Sequence, residues 1–238
     1  MIRQLALELA PPAAPGFDNF VPGQNLEAKR QLEELAARDT SERFVYLWGE
    51  PGSGRTHLLR ATCAALLAQG RQCAYVGCDA STVSIELPQA VDCLAADDVE
   101  RLPERGQIAL FNAYNELRER GGALVAAGDA PPVQLPLRPD LVTRLGWGLV
   151  YHLRPLTDDE KARALADEAA HRGFDLTAEV TDYLLRHVRR DMASLLAMLD
   201  ALDRYSLAAK RPVTLALVRE LVREQSTENK PNNAPGTF

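Results

Sequence analysis

The residues Gly49-Glu50-Pro51-Gly52-Ser53-Gly54-Arg55-Thr56 have types and spacing suited to holding phosphate. They follow G-x-x-x-x-G-K-[ST] at every position but one, where Arg55 stands in place of lysine. Gly49, Gly52 and Gly54 allow backbone N–H groups to turn inward around phosphate oxygens. A helix start behind them would add partial positive charge. The Thr56 hydroxyl occupies the position that ligates Mg²⁺ in such loops. Arg55 keeps the charge but exchanges a compact ammonium for a planar fork on a longer arm. Diphosphate binding draws on backbone amides and is expected to tolerate the exchange. Placement of a γ-phosphate for hydrolysis is expected to suffer more. The competing reading is a glycine-rich turn with no ligand.

A second candidate lies downstream. Val91-Asp92-Cys93-Leu94-Ala95-Ala96-Asp97-Asp98 is an apolar run ending in two acids. Asp97 is expected to reach Mg²⁺, directly or through water, and Asp98 to take the place of a water-activating carboxylate. Asp92 interrupts the run, and paired acids at a strand end also occur as plain solvated turns.

These residues need a scaffold, and the surrounding pattern supplies one. Residues 43–48, RFVYLW, read as a buried strand, and 56–68 as the helix that follows it. Further strands are expected at 72–76, 89–95, 123–127 and 148–153, with helices at 24–37 and 107–120. Strands alternating with helices imply a parallel sheet of βαβ units. After Pro155 the strands stop, and three or four helices follow. Thr157 with Glu160 forms a capping box closed by Gly173, and Thr177, Asp191 and Thr214 are natural N-caps. The expected fold class is α/β, a P-loop core with a parallel sheet flanked by helices, followed by a small all-helical lid. The division expected is a peptide and Pro-rich linker at 1–16, an α/β domain at 17–155, helices at 156–225 and a polar tail at 226–238.

The bulk numbers exclude several classes. At 238 residues, 46% hydrophobic and 25% charged, the chain can bury a sizeable core. No apolar run approaches the roughly 18–20 residues needed to span a bilayer, and residues 1–16 lack a secretory apolar core, so a cytoplasmic protein with no membrane partner is expected. The net charge of -6 gives no global attraction to nucleic acid. Cys63, Cys73, Cys78 and Cys93 show no metal-ligand spacing and are expected to be reduced and mostly buried.

With these residues in view the chain resembles the AAA+ ATPases, and among them the bacterial replication-initiator family of DnaA. FDNFVPGQN (17–25) resembles the segment lying around adenine, with Asn25 beside the base. YLWGEPGSGRTHLLRA (46–61) resembles the P-loop region, and AADDVERL (95–102) the Walker B strand. LVAAGDAPP (124–132) resembles sensor 1, with Asp129 as its polar residue. LRPDLVTRLGWGLVYHLRPL (137–156) resembles the segment carrying the arginine finger, which falls on Arg144. HVRRDMASLL (187–196) resembles sensor 2, with Arg190 the better match and Arg189 its rival.

The resemblance implies a bound nucleotide, ADP or ATP, with Mg²⁺. The initiators continue into a helix-turn-helix reader, whereas only a polar tail follows the last helix here, so no sequence-specific DNA binding is expected. RQLALEL (3–9) resembles the peptides that dock on the replicative sliding clamp (β subunit), with Gln4 at a pocket rim and Leu5 and Leu7 in apolar pockets. Together these imply a regulator of replication initiation. It would hold ADP, dock on the clamp and present Arg144 in trans to ATP on DnaA, preventing re-initiation as an activator of its partner's ATPase. The alternatives are a nucleotide-dependent adaptor that recruits the initiator without triggering hydrolysis, and an autonomous ATPase, disfavoured by Arg55. Self-assembly into a homo-oligomer stays open.

Overall fold

The computed structural model describes residues 13–209 and 212–228. The expected clamp peptide, with Gln4, Leu5 and Leu7, and all but the first residues of the expected polar tail lie outside the described residues. Two compact units are present, one spanning Pro15–Leu156 and one built from Thr157 onward.

The first unit opens with a single 3-10 turn, Gly23–Asn25, that runs into α1 (Leu26–Ala37). Then come β1 (Phe44–Trp48), α2 (Arg55–Ala68), β2 (Gln72–Gly77) and β3 (Val91–Asp97). They are followed by α3 (Glu104–Glu119), β4 (Ala123–Gly128), α4 (Pro139–Leu145) and β5 (Leu149–His152). The strands form one parallel sheet in the order β2-β3-β4-β1-β5. Successive side chains leave a strand on opposite faces, and helices cover both faces, so the central strands β1 and β4 read as unbroken apolar runs. On β1, Val45 and Leu47 pack with Leu32 of α1 and Leu58, Leu59 and Leu66 of α2. Tyr46, between them, packs on the other face with Leu110 and Leu117 of α3 and Leu141 of α4. α4 was not signalled by periodicity; Pro at its first position starts it and Gly146 ends it.

Asp92, the charge that breaks the β3 run, has a place. Its carboxylate accepts from the Gln72 N–H at 3.0 Å and pairs with Arg38 at 3.1 Å and Arg71 at 3.8 Å. Two of the four cysteines depart from expectation. Cys63 of α2 and Cys73 of β2 form a disulfide, while Cys78 and Cys93 are free and buried. Their separation of 10 residues spans the turn from α2 into β2, which brings the two Cα atoms to 5.2 Å, an ordinary disulfide span. Nothing in the spacing itself announces that approach. Burial pushes the Cys93 thiol up to about 12, so it stays protonated.

The second unit contains α5 (Asp158–His171), α6 (Ala178–His187), α7 (Met192–Ala209) and α8 (Leu215–Glu228). All four expected caps form. Thr157 and Glu160 make a reciprocal capping box, and Thr177 accepts from the Val180 N–H. Asp191 accepts from the Ser194 N–H at 2.8 Å, and Thr214 from the Leu217 N–H at 3.4 Å. Leu165, Val180, Leu184, Leu195, Leu202 and Val218 form the buried centre. Among the described residues no helix is long and apolar enough to cross a membrane.

One buried polar tie closes the ends of the first unit. Asn25, 4% exposed, donates through Nδ2 to the Arg154 carbonyl and accepts through Oδ1 from the Arg154 N–H, both at 2.8 Å. Asn25→Ala strands both backbone groups of Arg154. It should lower the stability of the full chain by about 2–3 kcal/mol in urea titration, far more than an exposed Asn→Ala change.

Candidate nucleotide site

Chain topology gathers the site. Ligands of parallel α/β sheets bind outside the carboxyl ends of the strands, where loops diverge. β4 lies between β1 and β3. The loop after β1, the acids ending β3 and the turn after β4 therefore share one rim.

The loop after β1 has the geometry of a phosphate cradle. Gly52 and Gly54 have φ of +85° and +99°, a region L-residues avoid. A side chain at Gly54 would also strike the ring of Phe20, at 2.7 Å. Phe20 in turn sits 5.3 Å from the His57 ring, and His57 Nε2 lies 2.9 Å from the Gly16 carbonyl oxygen. The segment expected beside adenine is thus packed on the loop and on the first turn of α2. Both polar ends of the Asn25 amide are committed to Arg154, so this residue orders the segment through its backbone contacts. Ser53 is 4% exposed and its hydroxyl has no partner among the described residues.

Arg55 opens α2 with its side chain 11% exposed. Its Nη2 is 3.6 Å from Asp98 Oδ1, and its buried Nη1 has no hydrogen-bond partner among the described residues. Asp98 also pairs with Arg101 at 3.8 Å, and its backbone is left-handed, φ 53°. The carboxylate in the water-activating place is therefore directed at two guanidiniums. Asp97, 3% exposed, accepts from the Thr56 hydroxyl at 2.6 Å and from the Tyr75 hydroxyl at 2.9 Å, both on Oδ2. The Asp98 N–H donates to its Oδ1 at 3.1 Å.

This donor set fits a nucleotide phosphate with Mg²⁺. Among the described residues the cradle holds a buried hydroxyl and a guanidinium nitrogen without hydrogen-bond partners, and the Thr56 and Asp97 oxygens are already adjacent. Among the described residues no group of three or more acids, histidines or cysteines could hold a metal alone. A Mg²⁺ held by Thr56 and Asp97 would take its other ligands from phosphate and water.

Two residues were missed by sequence reasoning. Tyr75, on β2, buttresses Asp97 and lies under the Arg60 guanidinium at 4.8 Å. Glu100 sits in the 3-10 turn Val99–Arg101, and its Oε2 is buried without a hydrogen-bond partner among the described residues. Burial raises its pKa, and the nearby charges of Asp129 and Asp98 raise it further, against the pull of its own backbone N–H and of Arg55. Asp129 itself is exposed just past the end of β4, within electrostatic reach of Glu100. Gly128 is glycine because the Tyr46 hydroxyl and the Glu100 carboxylate fill the space a side chain would need. Only an acid three positions after Asp97 marks Glu100 in the sequence.

The remaining predicted residues stand elsewhere. Arg144, in the last turn of α4, contacts aromatic rings rather than the loop after β1: Trp147 at 4.1 Å, Phe111 and Tyr114 at 5.6 Å. Arg190 and its rival Arg189 belong to the helical unit. Arg190 is 3.9 Å from Asp158, and Arg189 is 3.3 Å from Asp191.

Glu100 carries a pH signature. Its proton is bound more tightly in the folded chain than in the unfolded one. Stability is therefore lost as pH rises from the ordinary value of 4.5 through the raised folded value. Glu100→Gln removes that loss. Its urea midpoint should exceed that of the native chain at pH 7, and the gain should vanish below pH 4.5.

Comparison with known proteins agrees with this geometry. The family model described as the bacterial DnaA ATPase domain matches residues 13–152, and the model described as the Hda lid domain matches residues 158–222. Domain III of the Thermotoga maritima replication initiation protein DnaA superposes with a TM-score of 0.67. The two share 23% identity over 88% of this chain and 95% of that one. AMPPCP-bound DnaA from Aquifex aeolicus gives 0.68 at 22% identity, over 90% of this chain and 69% of that one. A point mutant of Thermotoga maritima RuvB gives 0.61 at 16% identity, over 88% of this chain and 71% of that one. With a DnaA-type core covering more than half its length and a lid matched by the Hda family, the chain belongs to the DnaA-related AAA+ ATPases and is a DnaA-related regulator of replication.

Proposed function

We propose that this protein is an activator of a partner's ATPase. In the cytoplasm it holds ADP, with Mg²⁺ on Thr56 and Asp97, docks on the DNA polymerase sliding clamp, and presents Arg144 to ATP bound by DnaA. The observation that carries the reading is the state of Arg144. Among the described residues it has no acidic partner, its Nη1 is buried without a hydrogen bond, and its guanidinium is held on aromatic faces. A cation kept out of ion pairs keeps unpaired N–H groups for a phosphate oxygen. Such an arginine, supplied in trans, stabilises charge on the transferring phosphoryl group.

The chain's own loop suits holding rather than hydrolysing. Gly49, Gly52 and Gly54 cradle phosphate, and Arg55 supplies charge near the terminal phosphate of a diphosphate. Asp98, which would otherwise orient water, is occupied by Arg55 and Arg101. Asp129 at the rim and Arg190 on the lid are the residues that would sense the nucleotide. The family match supports DnaA as the partner, and Gln4, Leu5 and Leu7 supply the clamp contacts in this reading. A peptide on the PPAAPG leash would raise the local concentration of the core near clamp-loaded DNA.

The test is hydrolysis of DnaA-bound ATP in the presence of clamp-loaded DNA. Arg144→Ala should retain clamp binding and lose about a thousandfold or more of the stimulated rate. Stimulation equal to that of the native chain would refute the arginine-finger role and favour an adaptor that recruits DnaA without triggering hydrolysis. Replacing Gln4, Leu5 and Leu7 together with Ala should abolish retention on clamp-loaded DNA. Unchanged retention would remove the clamp from the reading.

A further inference from the structure

An arginine acting on another molecule's phosphate faces an entropic problem. Its long side chain samples many rotamers, and each one away from the reacting phosphate is unproductive. An ion pair would fix the side chain but would occupy the hydrogen-bonding fork that the reaction needs. Aromatic faces fix a guanidinium through the ring quadrupole and leave its N–H groups free to donate.

Three rings surround Arg144, and they are not equivalent. Tyr114 is a buried member of the core beneath α3, and Phe111 packs against that core. Both lie 5.6 Å from the guanidinium carbon. Trp147 is nearer, at 4.1 Å, yet its side chain leads out to solvent, with the residue 58% exposed. The backbone brings it there. Gly146 ends α4, and the Trp147 N–H donates to the Arg144 carbonyl at 3.2 Å, folding the tryptophan back onto the arginine. The same ring takes a second cation, Arg118 of α3, at 5.5 Å. Arg118 and Arg144 then line one cavity of about 250 Å³ together with Asn115 and Glu119. A large exposed indole shared by two guanidiniums from two helices is a specific arrangement, and burial of the ring does not account for it.

We infer that Trp147 is a positioning residue for Arg144, its ring holding the guanidinium in the pose from which it reaches a phosphate on the partner. The inference rests on the reading of Arg144 as the arginine finger. Trp147 touches no reacting atom in this scheme. Its effect runs through Arg144, so it should alter the turnover of the assembled complex rather than its assembly.

The experiment titrates the full chain into ATP-loaded DnaA on clamp-loaded DNA and separates the maximal stimulated rate from the half-saturating concentration. Trp147→Ala should lower the maximal rate about ten- to a hundredfold, the scale expected for a misplaced catalytic group, with the half-saturating concentration unchanged. Trp147→Phe, which keeps a ring, should recover most of that loss. In an Arg144→Ala background, Trp147→Ala should add nothing. A raised half-saturating concentration with an intact maximal rate would overturn the inference and make Trp147 a docking residue. So would a maximal rate equal to that of the native chain, or an equal loss with Trp147→Phe. If Arg144→Ala itself stimulates normally, it is the arginine-finger reading that fails. That outcome is read from Arg144→Ala alone.

Discussion

The hydrogen bond from Thr56 to Asp97, 2.6 Å long, joins residues 41 apart in sequence, and the rest of the site depends on the constraint that makes it possible. Thr56 lies in the first turn of the helix after β1 and Asp97 ends β3, two strands held apart by β4. In a parallel sheet all carboxyl ends face the same way, so the loop after β1, the acids of β3 and the turn after β4 meet at one rim. A different strand order would leave the same residues in the chain without a shared site. The apolar strands are therefore functional at one remove: they hold the sheet together, and its order brings the polar ends together.

At that rim the charges answer one another. Arg55, Asp98 and Arg101 form a short chain of ion pairs, and Asp97 is satisfied by Thr56, Tyr75 and the Asp98 N–H. Glu100 stands apart, with a buried oxygen lacking a partner among the described residues and with its protonated form favoured by burial and by its acidic neighbours. Carboxylates crowded into a half-buried place next to a phosphate cradle repel one another unless a cation enters. Arg55 supplies one such charge from within the chain.

Arg144 follows a different logic. Its aromatic surroundings keep it partly covered and, among the described residues, free of ion pairs, the opposite of Arg55. One arginine serves the chain's own cradle. The other, in the reading proposed, serves the cradle of a neighbouring molecule. Two guanidiniums of the same chemical type are thereby separated in role by their partners, a carboxylate for one and indole and phenyl faces for the other.

Much of this was legible before folding. Glycine spacing after an apolar strand marked the cradle, and the run ending in Asp97-Asp98 marked its companion. Each of Thr157, Thr177, Asp191 and Thr214 caps the helix its position announced, because capping is decided within one turn of chain. What lay beyond local reach was decided by packing alone. The disulfide between Cys63 and Cys73 depends on how α2 returns along β2. The burial of Glu100, the buttress of Tyr75 on Asp97 and the pairing of Arg55 with Asp98 all depend on strand order. The approach of Phe111 and Tyr114 of α3 to Arg144 is likewise a matter of packing between elements. Residue order along the chain was enough to mark the glycine-rich turn after β1 and where the capped helices begin, since those follow from spacing and backbone freedom. Which charges meet was settled in three dimensions, because it is set by contacts between residues far apart in the chain.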